Sequence, residues 1–320
     1  MAGAADEAGG LRVYDGAVAI VTGGASGIGE ALAVELAARR ASVIVADRDG
    51  EGAAAVAGTI QARGGDATAA RVDVSDHAAV KELVRQTVTR HGRLDFMFNL
   101  VGIIYTGTAL DHSIDDWNRI LDVNVRGVAN GVEVAYPIMT AQGFGHIVNM
   151  SSTAGLVHFY NVPYTASRFA VVGLSLTLRG EASMHGVRVT LLCPGPVRTA
   201  TFSAAGVYGR RLRDLPDEVV SGAVQRLRPR DPYWFARLAL RGIAKNRAMI
   251  VAPWRARMLW RSYRRTPLLT TRVVFRRFLR PLLLQVEAQG LAGRRQGQAA
   301  TADTASKAGV MERASGGPAS

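Results

Sequence analysis

The sequence predicts an α/β fold: a doubly wound parallel sheet of seven strands with helices on both faces, and a basic helical extension near the C-terminal end. From Val18 onward, short β-branched runs alternate with longer helix-like segments, the order that builds strand–helix–strand units. Most of the runs are apolar almost throughout, as strands covered on both faces require. The segments between them are long enough for right-handed crossovers.

The strands are expected at residues 18–23, 42–47, 67–74, 94–101, 146–151, 188–194 and, more weakly patterned, 248–253. Residues 12–253 then form one domain. Residues 1–11 and 289–320, rich in Ala, Gly, Gln and Ser without periodic apolar positions, are expected to be disordered tails.

A chain of 320 residues with 48% apolar and 20% charged residues can bury a sizeable core, which excludes collagen-like and wholly disordered classes. Its single cysteine, Cys193, excludes a disulfide framework, and as an isolated cysteine in an apolar strand it reads as buried filler. The first ten residues have neither the basic start nor the apolar run of a secretory signal, so a reducing cytoplasm is the expected location. No run reaches the roughly 18 apolar residues of a membrane span. The six histidines show no paired ligand spacing, and no metal is expected.

The net charge of +13 is concentrated. Residues 232–286 hold thirteen Lys and Arg and no acid, while the rest of the chain balances to zero. Within residues 254–288, Arg272, Arg276 and Arg280 recur every fourth position beside Val274, Phe275, Phe278 and Leu279, a basic amphipathic helix interrupted by Pro267 and ended near Pro281. Three readings stay open for it: a surface helix on its own domain, a peripheral membrane contact across 254–284, or a nucleic-acid contact. Nucleic acid ranks last because no recognition motif accompanies the charge.

The first strand runs into Thr22-Gly23-Gly24-Ala25-Ser26-Gly27-Ile28-Gly29 and then a helix-like segment. This sets a glycine-rich turn at a helix N-terminus, where free N–H groups and the helix dipole can receive a pyrophosphate. The second strand ends in Asp47, a carboxylate placed to accept from adenosine ribose hydroxyls, which favours NAD. Arg48 follows it and could instead pair with the 2′-phosphate of NADP.

With that turn, Asp73-Val74, Asn99 to Gly102, Asn124, Ser151-Ser152, Tyr164 to Arg168 and Pro194-Gly195 in this order, residues 12–255 resemble the short-chain dehydrogenase/reductase family. The resemblance implies a Rossmann-like domain that binds NAD(P) across the carboxyl ends of its strands. It further implies that Thr22, Gly23, Ser26, Gly27, Ile28, Gly29, Asp73, Val74, Asn99, Gly102, Pro194, Gly195, Val197 and Thr199 contact the cofactor. Residues 200–235 would be a substrate lid whose apolar content hints at a lipophilic substrate, and a homodimer or homotetramer is implied through helices containing Asn124 and Tyr164.

Exchange of a hydride between a carbinol carbon and nicotinamide needs a group that both gives and takes a proton. Tyr164 is the candidate, and since a free phenol with pKa near 10 is too weak a base, a nearby cation must assist it. The family carries a lysine four residues later; here the position is Arg168, a planar fork in place of a compact ammonium. Ser152 would orient the substrate oxygen, with Ser151 as the alternative, and Asn124 would support the proton relay. The expected function is an NAD(P)-dependent oxidoreductase acting on a secondary alcohol or ketone. The alternative is a catalytically impaired dinucleotide-binding or membrane-associated interaction protein on the same fold.

Overall fold

The structure is a computed structural model, and it describes residues 12–158, 161–199, 209–211, 225–280 and 284. Both expected tails and most of the expected lid lie outside the described residues. Strands β1 (Val18–Thr22), β2 (Ser42–Asp47), β3 (Asp66–Arg71), β4 (Phe96–Asn99), β6 (Gly145–Met150), β7 (Val187–Pro194) and β9 (Met249–Ala252) form one parallel sheet. Their order is β3-β2-β1-β4-β6-β7-β9. The connections turn in opposite directions on either side of β1, so the crevice beyond its carboxyl end is the topological switch point where open α/β sheets bind ligands.

Helices α1 (Gly27–Ala37), α2 (Gly50–Ala62) and α7 (Pro232–Ala244) cover one face through Leu32, Leu36, Ile60, Phe235 and Leu240. Tyr14 is sealed beneath this layer, its hydroxyl donating to the Leu240 carbonyl at 2.7 Å. On the other face lie α3 (His77–His91), α4 (Ile114–Leu121), α5 (Gly127–Gln142) and α6 (Val162–Ala182), burying Leu83, Val84, Ile120 and Met139. Fully buried strand residues such as Ile20, Val21, Met97 and Ile147 account for the unbroken apolar runs.

Two strands are shorter than their apolar patterns predict, because side chains take over from the ladder. Beyond β3, Asp73 leaves the sheet and accepts from the Ser75 N–H at 2.9 Å to make a turn, so residues 72–74 are not strand as expected. Around β4, Leu94 N donates to Gln142 Oε1 and Leu100 N to Thr22 Oγ1. A second, two-stranded parallel sheet pairs β5 (Ile104–Thr106) with β8 (Gly209–Arg211). It carried no sequence signal, since three-residue strands have no readable period and the partner is far along the chain.

The basic extension is two helices, α8 (Trp254–Arg265) and α9 (Pro267–Val274), followed by a π-helical turn over Phe275–Leu279. Ala256 is buried, and Leu259, Trp260 and Tyr263 pack on Leu156, Val157, Val171 and Val251. The spacing of these α8 residues is the i, i+3, i+4, i+7 stripe of a docked helix. Residues 254–265 are thus part of the domain rather than a separate segment.

One buried group makes the fold sensitive to acid. His146, near the start of β6, is buried against the Phe96 ring of β4, and its Nε2 meets Thr190 Oγ1 at 2.9 Å. The Thr190 hydroxyl donates to the Arg247 carbonyl, so it accepts from His146. Burial, reinforced by Arg188 and Arg179, pushes the imidazole pKa down to about 3. Above about pH 6.5 the ring is neutral whether the chain is folded or not. Below that, the unfolded chain takes up a proton that the folded one refuses, so stability falls with falling pH by up to about 1.4 kcal/mol per unit for this group. Urea unfolding of the wild type and of His146→Gln between pH 7.5 and 4.5 should differ in slope by about one proton; identical slopes would contradict this account.

Candidate active site

The turn between β1 and α1 is built for close approach. Gly23 and Gly27 have φ of +72° and +59°, a region that glycine alone enters freely. A Cβ on Gly29 would lie 1.9 Å from the Gly23 carbonyl oxygen, so α1 starts directly beneath the turn. Ser26 precedes α1 without capping it by its side chain, and Ile28 is buried in the core. Asp47 anchors the turn from the end of β2: one carboxylate oxygen accepts from Ala25 N at 3.1 Å and the other from Asp49 N at 3.0 Å.

Thr199 closes on the turn from the far end of the chain, since a Cβ on Gly27 would be 2.9 Å from its methyl. Thr199 is held there by its neighbours: Gly195 N donates to the Ala252 carbonyl at 2.7 Å, buried Val197 bridges to Arg230, and Thr153 Oγ1 donates to Pro194 O. Thr22 Oγ1 donates to the Phe98 carbonyl and ties β1 to β4.

A groove beside the turn is lined by Asp47, Arg48, Asp73, Val74, Val101 and Arg119. Burial alone would raise the Asp73 pKa, but hydrogen bonds from Ser75 and from Arg119 at 3.2 Å outweigh it and hold the carboxyl below its usual range. Arg119 was missed in the sequence, where no motif marks it; only the fold of α4 brings it to the groove. The Asn99 amide points elsewhere, donating to Asn149 Oδ1 at 2.9 Å and lying against Gly131 of α5. Val74 rests on Gly127, its carbonyl accepting from Asn130.

At the other end of the crevice stands α6. Asn161, in the left-handed half of backbone space at φ +88°, caps it by accepting from Tyr164 N, and Pro163 occupies its first turn. Arg168 follows one turn after Tyr164, with its guanidinium carbon 4.9 Å from the Tyr164 ring centroid. Only 4% of Arg168 is exposed. Its Nη1 donates to the Met150 carbonyl at 3.2 Å, its tip presses on Gly102, and its Nε has no hydrogen-bond partner. Among the described residues no carboxylate pairs with it.

The two adjacent serines are placed differently. Ser151 is buried and donates to the Arg168 carbonyl at 2.8 Å, whereas half-buried Ser152 accepts from Ala154 N at 3.1 Å and keeps its own proton for another acceptor. Asn124 sits in a π-helical turn, Asp122–Arg126, joining α4 to α5. Its Oδ1 accepts from Ile103 N at 2.8 Å, and its Nδ2 donates to Ile103 O and to Ser167 Oγ, each at 3.0 Å. Ser167 in turn donates to the Tyr164 carbonyl. One amide therefore joins the loop after β4, the helical bulge and the second turn of α6.

Burial pushes the Cys193 thiol well above its usual pKa, which removes it as a nucleophile. No group of three or more metal-binding side chains occurs among the described residues. His158 is exposed and contacts Phe169 and Tyr263. Phe159 and Tyr160 lie outside the described residues. The described residues thus place a glycine turn at the N-terminus of α1, and a phenol, a hydroxyl and a buried cation around the start of α6.

Replacing Asn124 with Ala would leave the Ile103 N–H and carbonyl buried without partners. The expected loss is about 2–4 kcal/mol of unfolding free energy, measured by urea denaturation. A loss within experimental error would show that the clamp carries no load.

The family model described as short chain dehydrogenase matches residues 17–206. The putative oxidoreductase SadH of Mycobacterium tuberculosis is 35% identical over 247 residues, 75% of this chain and 87% of that protein. The D-threitol dehydrogenase of Mycolicibacterium smegmatis is 37% identical over 224 residues, 66% of this chain and 85% of that one. Among solved structures, a short chain dehydrogenase/reductase from Burkholderia phymatum in complex with NAD superposes with a TM-score of 0.72 at 32% identity, covering 80% of this chain and 95% of that one.

Proposed function

The chain belongs to the short chain dehydrogenase family, and we propose that it interconverts a secondary alcohol and a ketone by hydride exchange with a nicotinamide dinucleotide, NAD in preference to NADP. The observation that carries the proposal is the Gly23–Gly29 turn at the α1 N-terminus together with Tyr164 lying against a buried Arg168 that no carboxylate among the described residues pairs with.

The residues present fit such a cofactor. The turn packs directly on the start of α1, where a Cβ at Gly29 would strike the Gly23 carbonyl, and the α1 N-terminus suits a pyrophosphate. Thr22, Gly23, Ser26, Gly27 and Ile28 would supply the cradle, with Asp73, Val74, Asn99 and Gly102 lining or shaping the adenosine side. Pro194, Gly195, Val197 and Thr199 would flank the nicotinamide end. The preference for NAD rests on Asp47, a buried carboxylate held by two N–H donors, beside which a 2′-phosphate would crowd like charge. Arg48 is exposed and borders the same groove.

When bound, the dinucleotide supplies the hydride acceptor or donor. In the oxidation direction Ser152 donates to the substrate oxygen and Tyr164 accepts the hydroxyl proton; in reduction Tyr164 returns it. Arg168 holds a full positive charge against the Tyr164 ring from a buried position, where a charge acts more strongly than in solution. Asn124 acts through Ser167 and the α6 backbone, so it is a positioning residue.

Titration of protein fluorescence with NADH and NADPH, followed by turnover on a panel of secondary alcohols and ketones, tests the reading. Tyr164→Phe should bind NADH as the wild type does and lose on the order of 10²–10⁴ in rate. Saturable NADH binding without turnover on any substrate would instead support a non-catalytic dinucleotide-binding protein. Asp47→Ser should shift the NADH-to-NADPH affinity ratio by about tenfold or more toward NADPH, and an unchanged ratio would remove Asp47 from the site. Arg168→Lys, too short to span from Tyr164 to Gly102, should lower kcat; a faster variant would mean that arginine is a handicap at this position.

A further inference from the structure

The helix pair at the C-terminal end has the wrong polarity for a helix that merely covers its own domain. In α9 the buried positions are Thr270 and Val274, while Leu268 is 86% and Leu269 58% exposed. The inner contact with α8 is made by hydroxyls: Thr270 Oγ1 lies 3.1 Å from Ser262 Oγ and 3.3 Å from Thr266 Oγ1. Val273, Phe275 and, on α8, Trp254 and Met258 are also exposed. An ordinary surface helix buries its leucines and shows its threonines to water; this one does the reverse.

Charge surrounds the apolar strip. Arg255, Arg257, Arg261, Arg264, Arg265, Arg272, Arg276, Arg277 and Arg280 are all exposed, and residues 232–286 contain no acidic side chain to neutralise them. Beside Met258, an open groove is lined by Ser262, Thr266 and the guanidiniums of Arg261 and Arg265, a pair of cationic donors suited to a phosphodiester. A second copy of the same face would bring like charge against like charge. The chain's own C-terminal residues, 285–320, are mostly Ala, Gly, Gln and Ser, and offer neither acidic excess nor an apolar run as a complement. Nucleic acid would answer the arginines but leave the leucines in water.

We propose that α8, α9 and the turn after them form a docking surface for an anionic lipid bilayer. Leu268, Leu269, Val273 and Phe275 enter the headgroup boundary, and the arginines pair with lipid phosphates. Insertion is peripheral, since no helix among the described residues is long and apolar enough to cross a membrane. The inner side of α8 also touches the loop that precedes Tyr164, through the Tyr263 hydroxyl 3.1 Å from His158 Nδ1.

The test is cosedimentation of the full chain with phosphatidylcholine vesicles, with and without one part in three of phosphatidylglycerol. Binding is expected to the mixed vesicles, at least about tenfold weaker to pure phosphatidylcholine, and retained in part at about 0.5 M salt. The double variant L268S/L269S, altered only at exposed positions, should bind at least about tenfold more weakly with an unchanged thermal midpoint and unchanged NADH affinity.

No sedimentation with the mixed vesicles would overturn the proposal. So would binding that L268S/L269S leaves intact and salt abolishes, which would reduce the face to a general polycation. A wild-type dimer that L268S/L269S dissociates, without vesicle binding, would assign the strip to a second copy instead. These readouts need no turnover, so the oxidoreductase reading and the bilayer reading stand or fall separately.

Discussion

A guanidinium shut away from water, with no carboxylate beside it among the described residues, is the constraint around which the crevice is arranged. Burying an unpaired charge costs several kcal/mol even after relaxation, and among the described residues Arg168 is compensated by the Met150 carbonyl and the face of the Tyr164 ring. The compensation requires that β6 end where it does, that α6 carry Tyr164 one turn before Arg168, and that residue 102 be glycine, since any Cβ there would meet the guanidinium. The orphaned Nε marks a position at which a further acceptor would be favoured. A lysine would need less room and offer less reach, so the exchange changes the crevice as well as the charge.

The polar groups around that cation are divided between holding the fold and facing the crevice. Ser151, Asn99, Asn149 and Ser167 spend their hydrogen bonds on backbone or on one another in the interior. Ser152, on the crevice side of the pair, retains a donor. Asn124 pairs with both backbone groups of Ile103, which holds the loop after β4 against the helical bulge, and its bond to Ser167 ties both to α6. Such a fully satisfied network favours one arrangement of the crevice over near alternatives.

The C-terminal helices follow a different logic from the rest of the surface. One side of α8 completes the core with Ala256, Leu259 and Trp260, whereas α9 turns its leucines outward and its hydroxyls inward. The first arrangement stabilises the domain. The second gains nothing for the isolated chain, and it has a physical reason only if something apolar and negatively charged meets it.

Much of the fold was legible in the residues themselves. Unbroken apolar runs at crossover spacing announce a parallel sheet covered on both faces, and the glycine turn with Asp47 at the next strand end announces where an anion would lie, because those features are local and periodic. The shortening of β4 was not legible, since Gln142 and Thr22 take over its end N–H groups from distant positions. Neither was the pairing of β5 with β8, nor Arg119 in the groove, nor the opposite assignments of two adjacent serines. The sequence alone determined which residue types were available and at what spacing: a tyrosine, a cation one turn later, a glycine cradle and a patch without acids. The tertiary structure decided which of them meet, that Arg168 lies across Tyr164 toward Gly102, and that the leucines of α9 face outward. Contacts between distant segments depend on how several elements dock at once, and no local pattern encodes that.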